Sequence, residues 1–246
     1  YDESMDWKIE QVGYHTTLNS IFTVKEDDSY LFSVGDEASM LRNNNGGRSW
    51  YFPDSTSFTV NEHLNSVYAT SRYNGFAVGD NGAFIKIVNN GRIWLKQNPF
   101  TDKNLNSIFL IDSINGAACG DDGVIYITND ACNTWTQKHS SNSYNLKSIS
   151  FVDNNIGYAA GESTILKTID GGNNWTEIYT VNELNINEIH FSNADIVFAV
   201  CDKSVILKSV DGGNSWDLKS YDDSSNLYSV HFIDSVGYAV GQKGLI

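Results

Sequence analysis

The sequence predicts an all-β propeller of four-stranded blades, and three observations predict it. The stretch Ser209 to Trp216, Ser-Val-Asp-Gly-Gly-Asn-Ser-Trp, has weaker copies at Thr168 to Trp175, Thr128 to Trp135, Ile87 to Trp94 and Asn43 to Trp50. The tryptophans that close these copies are spaced 44, 41, 40 and 41 residues apart, the period of a propeller blade. Between them lie short runs of β-branched and aromatic residues separated by Gly, Asp and Asn turns, with no sustained 3.6-residue apolar period.

The recurring motif reads as a turn joined to an anchor. In its best copies Asp170 and Asp211 offer a carboxylate to nearby backbone N–H groups, Gly172 and Gly213 accept φ > 0, and Trp175 and Trp216 bury a large ring. The third copy keeps Asp130, Thr134 and Trp135. Asn45 and Asn89 stand at the Asp position of the two poorest copies and keep the turn chemistry without the charge. A motif needed once per blade is read as structural rather than catalytic.

Each unit opens on a short strand: Leu18 to Phe22, Leu64 to Tyr68, Leu105 to Phe109, Leu146 to Ser150, Ile186 to His190 and Leu227 to His231. These are apolar enough to be innermost strands covered on both faces. Second strands follow at Tyr30 to Val34, Gly75 to Val78, Gly116 to Cys119, Gly157 to Ala160, Ile196 to Val200 and Gly237 to Val240, and each runs into a turn that reads as a hairpin. A third strand then leads to the motif, and its Trp opens the fourth. The units are about 18–63, 64–104, 105–145, 146–185, 186–226 and 227–246 plus 1–17, in one domain spanning 1–246. The last unit stops at Ile246 inside its third strand, while the opening stretch carries Trp7 without a motif before it. An N-terminal strand that closes the last blade gives six blades and hides two sheet edges. The alternative is seven blades in a truncated chain.

Composition bounds the partners. A formal charge of −14 and a pI near 4.5 exclude nucleic acid and anionic membrane surfaces as natural partners. No apolar run approaches a membrane span, and the segment is expected not to insert in a bilayer. Cys119, Cys132 and Cys201 show no metal-site spacing. No cofactor and no metal are expected.

The repeat Leu-x-Ser-Ile-x-Phe, Gly-Tyr-Ala-x-Gly, Ile-Leu-Lys-Thr-x-Asp-Gly-Gly-x-x-Trp, clearest from Leu146 to Trp175 and Ile186 to Trp216, resembles the photosystem II assembly and stability factor family of Asp-box, or BNR-repeat, propellers. That resemblance implies a non-enzymatic scaffold that binds a protein, exported to a periplasmic, lumenal or cell-surface compartment. It also implies an arginine-rich patch. Here only Arg42, Arg48, Arg72 and Arg92 occur, and Arg42, Arg48 and Arg92 are placed near the first motif turns. The alternative is an Asp-box glycan-binding or glycoside-hydrolysing protein. A sialidase-type arginine triad cannot be assembled from so few arginines, and a glycosidase of another kind needs two carboxylates across a bond.

Residues at matching positions form rings in a propeller. One ring is acidic, with Asp36, Asp80, Asp121, Glu162 and Asp202, and Gln242 in the last unit. The other is polar, with Asn19, Asn65, Asn106, Lys147, Asn187 and Tyr228. Together they are the candidate mouth for a basic segment of a membrane or envelope protein. The competing reading is turn chemistry, Asp suiting a tight turn and Asn a strand entry.

Overall fold

The computed structural model describes residues 16–24, 27–56, 62–141, 143–221, 225–233 and 236–246. The Trp7 strand, the closure it was expected to make and the acidic pair Asp222-Asp223 lie outside them.

The described strands are β1 (Leu18–Thr23), β2 (Leu31–Gly35), β3 (Met40–Asn43), β4 (Trp50–Tyr51), β5 (Ser55–Thr56), β6 (Leu64–Ser71), β7 (Asn74–Gly79), β8 (Phe84–Val88) and β9 (Ile93–Lys96). They continue as β10 (Leu105–Leu110), β11 (Gly116–Gly120), β12 (Ile125–Thr128), β13 (Thr136–His139), β14 (Leu146–Phe151), β15 (Gly157–Thr168) and β16 (Thr176–Phe191). The last are β17 (Val197–Cys201), β18 (Val205–Ser209), β19 (Asp217–Ser220), β20 (Leu227–Ile233) and β21 (Val236–Gly241). Within each unit successive strands pair antiparallel, the pattern of a propeller blade.

The six four-stranded blades read from the sequence are not found as such. The described residues form sheets of four, five, four and six strands and one hairpin of two. β5 adds a parallel edge beside β9. The six-stranded sheet arises because β16 is continuous, its first part pairing with β15 and its last part with β17. It therefore serves as the outer strand of one unit and the inner strand of the next. Among the described residues the strands of the last unit are the hairpin β20–β21.

The turns after the second strands are also not simple hairpin loops. In units one, two, three and six they are single 3-10 turns at Asp36–Ala38, Asp80–Gly82, Asp121–Gly123 and Gln242–Gly244. Their middle residues, Glu37, Asn81, Asp122 and Lys243, take φ of 52 to 59°. The glycine before each turn is needed for close approach: a Cβ on Gly120 would lie 1.9 Å from the Asn104 carbonyl oxygen. Trp50 opens β4 and Trp94 is the second residue of β9, whereas Trp135, Trp175 and Trp216 directly precede their strands.

The core sits between units rather than within one. Phe32 and Val34 of the first unit pack with Val67, Ile85 and Trp94 of the second. The same holds one unit on for Phe76 and Phe84 with Ile108 and Tyr126, and again for Cys119 and Ile125 with Ile149 and Leu166. Each sheet thus buries its apolar faces only by stacking on its neighbours. Cys119, Cys132 and Cys201 are free and buried in these layers, and burial raises all three thiols, Cys132 and Cys201 to about 12.

Candidate functional site

The two rings read from the sequence meet, and they meet as bonded pairs. In every inner strand the second residue is a bulge: Leu105 pairs with Gly120 and Ser107 with Cys119, leaving Asn106 unopposed. The same break falls at Asn19, Asn65, Lys147, Asn187 and Tyr228. The freed amide points along the rim. Asn106 Nδ2 donates to Asp121 Oδ1 at 3.0 Å and to the carbonyl of Leu146, the first residue of the next inner strand, at 2.8 Å. Asn19 does so with Asp36 and Leu64, Asn65 with Asp80 and Leu105, and Asn187 with Asp202 and Leu227. The fourth unit departs. Lys147 reaches forward to Asn187 Oδ1 at 2.9 Å, and Glu162 takes the side chain and backbone N–H of Asn145. Tyr228 is half exposed, and Gln242 accompanies it in the last turn.

A third set completes the rim, and the sequence reading passed over it. Asn104 Nδ2 donates to Asp121 Oδ2 at 2.9 Å while its Oδ1 accepts the Asn81 N–H of the preceding turn. Asn145 and Asn226 take the N–H of Asp122 and Lys203 in the same way, and Asn185 donates to Asp202 Oδ2. In unit two the position is His63, whose Nδ1 lies 3.0 Å from Asp36 Oδ1. The Asn19 amide and His63 hold the Asp36 carboxyl below its ordinary value. The available signal was an Asn directly before the first inner-strand residue in four units. Both oxygens of Asp121, Glu162 and Asp202 are therefore engaged by neighbouring side chains or backbone.

Serines form a second tie between units. The Oγ atoms of Ser20, Ser66, Ser107 and Ser148 accept the N–H of Val67, Ile108, Ile149 and Ile189 at 3.2 to 3.3 Å. In the fifth unit Glu188 takes the place of serine, and its Oε2 accepts the Val230 N–H at 2.6 Å. Burial raises the Glu188 carboxyl above its ordinary value.

The motif turns lie at the other ends of the strands and close on themselves. Asp211 Oδ1 accepts the Ser215 N–H and the Ser209 hydroxyl, and Oδ2 accepts the Ser215 hydroxyl. These bonds, the Ser215 hydroxyl foremost, lower the carboxyl to about 2. Asp170 is held by Asn174 and Thr168, and Asp130 by Thr134 and Thr128. In the first copy Asn43 Oδ1 takes the N–H groups of Asn45 and Gly47, and Asn45 Oδ1 takes that of Ser49. The Trp175 and Trp216 indoles donate to the carbonyls of Gly172 and Gly213. Of the arginines placed near these turns, Arg42 and Arg92 come together on one carboxylate, Asp54. Among the described residues no group of three or more His, Cys, Asp or Glu side chains is placed to hold a metal ion.

Comparison with known proteins agrees with this architecture. Residues 87–185 match the family model described as photosynthesis system II assembly factor YCF48. No curated protein is similar enough in sequence to count as a match. Among solved structures, YCF48 bound to a D1 peptide is 17% identical, with 93% of this chain and 91% of that chain covered and a TM-score of 0.55. YCF48 from Cyanidioschyzon merolae is 15% identical, with 96% of each chain covered and a TM-score of 0.61. An ancestral GH74 enzyme is 13% identical with a TM-score of 0.74, over 87% of this chain but 33% of that one. Identities this low carry the fold alone. Residues 87–185 are thus similar to the photosystem II assembly factor family, and the fold of the chain is that of an Asp-box propeller.

Proposed function

We propose that the chain is a non-enzymatic assembly module that binds a protein partner. The observation that carries this reading is the match of residues 87–185 to an assembly-factor family. The rim supports it: the carboxylates that recur in register accept from asparagines at the inner-strand entry of their own unit, so none is left as a free acid across from a second one. YCF48 has been captured with a D1 peptide, which favours a peptide segment as the ligand class. A net charge of −14 draws a basic segment of a membrane or envelope protein toward the mouth by its field, while the hydrogen bonds of the rim keep the units in register. We place the module outside the cytoplasm, in a periplasmic, lumenal or cell-surface compartment.

We further propose one domain of six blades, closed by an N-terminal strand. The exposed faces of the end units favour an added element between them. Ile21 is 61% exposed where Val67 and Ile108 are 3% and 2%, and Val240 is 42% exposed where Val78 and Val200 are buried. Hydrogen exchange tests this. Slow exchange across residues 6–12 supports the closing strand, and exchange at the rate of an unstructured peptide rejects it.

The function is tested by affinity capture from an envelope extract of the source organism, with an Asp80→Asn, Asp121→Asn, Asp202→Asn variant in parallel. The reading predicts one protein with a basic segment, recovered at low salt by the wild type and less by the variant. A glycan reading has support from the fold likeness to GH74 enzymes. Turnover on a glycoside panel with no protein recovered would establish it and reject the assembly module.

A further inference from the structure

From the second unit on, the described motif turns rest on the second or third strand of the unit before them. Those strands usually carry an aromatic ring opposite a cation: Phe32 opposite Arg42, Phe76 opposite Lys86 and Phe198 opposite Lys208. Lys86 and Lys208 lie 5.7 and 5.5 Å from the ring centres. In unit four Tyr158 and Lys167 both donate to the Gly212 carbonyl beneath the next turn. Unit three breaks the pattern, with Ala117 opposite Ile127. Beside Ile127 a cleft of about 310 Å³ opens between the third and fourth motif turns, walled by Asn115, Asn129, Asn154 and Asn173 with Lys138 and Thr134.

The third motif turn departs as well. Ala131 and Cys132 hold the left-handed backbone that Gly171-Gly172 and Gly212-Gly213 hold elsewhere, with φ of 64° at Cys132 against 86° at Gly172 and Gly213. The indoles of Trp94, Trp175 and Trp216 donate to the carbonyls of Gly91, Gly172 and Gly213 at 2.8 to 3.2 Å. Trp135 Nε1 is buried with no acceptor. It borders a second cleft, of about 180 Å³, with Phe76, Phe84, Phe100, Lys86 and Gln97. Thr134 borders both clefts, so they adjoin across the third motif turn.

We propose that these adjoining clefts are one track for an extended peptide segment of a partner protein, anchored by an aromatic or large apolar side chain. The proposal rests on the reading of the chain as a protein-binding module and adds to the contact proposed at the mouth a second one at the opposite ends of the strands. The anchor packs against Phe100 and Trp135, and a main-chain carbonyl beside it accepts the Trp135 indole N–H. The segment then crosses the asparagine cleft, where Asn115 and Asn173 keep their amide oxygens as acceptors, their Nδ2 groups donating to Asp112 and the Asp170 carbonyl, and Asn129 and Asn154 add further amides to meet the N–H and C=O groups of an extended backbone. Asp170, which also lines this cleft, is spent on its own turn, so the lining selects backbone rather than charge. A sugar needs an open ring face. Here Phe76 stacks on Phe84 and Phe100 on Trp135, with centroids 5.4 and 4.8 Å apart, so one face of each ring is already taken.

The test uses variants that restore what other units carry. Ile127→Lys puts into unit three the lysine of unit four and fills the asparagine cleft. Cys132→Gly lets the carbonyl at that position turn to the Trp135 indole. The probe is a displayed library of short linear peptides, with enriched sequences resynthesised and titrated against the whole chain. The expected result is enrichment of peptides with an aromatic residue, whose affinity falls about tenfold or more in each variant while the thermal melt holds or rises. No enrichment, affinity in both variants equal to that of the wild type, or binding of an oligosaccharide panel in place of peptides would overturn it. Capture from extract separates the two levels. A partner recovered equally by wild type and both variants leaves the assembly module standing and removes the track, whereas no partner for any of them removes the module itself.

Discussion

Asn106→Ala is the sharpest test of what the rim is for. The amide donates to a carboxylate oxygen of Asp121 at 3.0 Å and to the Leu146 carbonyl of the next unit at 2.8 Å. A hydrogen bond to a charged group is worth roughly 1.5–3 kcal/mol and a neutral one roughly 0.5–1.5. Partial exposure of the rim places the loss near the lower sum, about 2–3 kcal/mol. At roughly 2–4 °C per kcal/mol for a chain of this size, the melting temperature should fall by about 5–10 °C. The built-in comparison is Lys147→Ala, which removes one bond to Asn187 and none to a carboxylate, and should cost about 1 kcal/mol or less. Urea unfolding monitored by far-UV circular dichroism measures both, read as a midpoint change at constant slope. If Asn106→Ala shifts the midpoint no more than Lys147→Ala, the paired rings are not what joins neighbouring units. The mouth would then hold amides free to take a ligand.

Three further outcomes follow from the same geometry. Ala131→Gly relieves a non-glycine residue at φ 59° and should stabilise by about 0.5–1 kcal/mol, the strain released less the extra freedom of an unfolded glycine; a lower melting temperature would show that the methyl packs. Asp211 is lowered to about 2 by its turn, so its contribution is present above the ordinary carboxylate range and is lost as pH falls through that value. Asp211→Asn should flatten the acid limb of the stability curve, seen in melts from pH 5 to pH 2, and an unchanged limb would remove the turn as its origin. Glu188 moves the other way, raised by burial: its neutral form suits the fold, and stability is lost as pH rises from the unfolded carboxylate value through the folded one. Glu188→Gln should therefore melt higher than wild type near neutral pH and lose that advantage near pH 4, and an equal difference at both would refute the assignment.

The repeat was legible because its parts are local. A carboxylate two residues after a hydroxyl and four before another needs nothing beyond its own turn, and Asp211 with Ser209 and Ser215 shows it. Strand starts such as Leu64, Leu105 and Leu146 were visible for the same reason. What joins the units was harder to read. Asn106 and Asp121 were each found, but that they share a bond follows from the bulge in the inner strand, which shifts register at one residue. The Asn104 set depends on two turns from different units facing each other. β16 ran through an expected boundary, Val181 to Asn185 staying in the strand where the connections after β13 and β19 leave it. The vacancies beside Ile127 and Trp135 were least legible, since they appear only when Ala117 and Cys132 are compared with their counterparts in three dimensions.

Positions shared by all units can build a ring but cannot choose a partner, so specificity must lie where one unit differs from the rest. The departures are of two kinds. Lys147 and Glu162 exchange one rim bond for others nearby, and Glu188 keeps the serine's bond to the next strand. Each of these is compensated where it stands. The departures around the third motif turn are not: Ala131 and Cys132 carry left-handed backbone without glycine, Trp135 loses its acceptor, and Ile127 leaves space where another unit seats a lysine. A peptide carbonyl on the indole and a chain across the asparagines would satisfy the donor and fill the space together. Local compensation is absent at the third motif turn because, in the proposed track, the compensating atoms belong to the bound peptide.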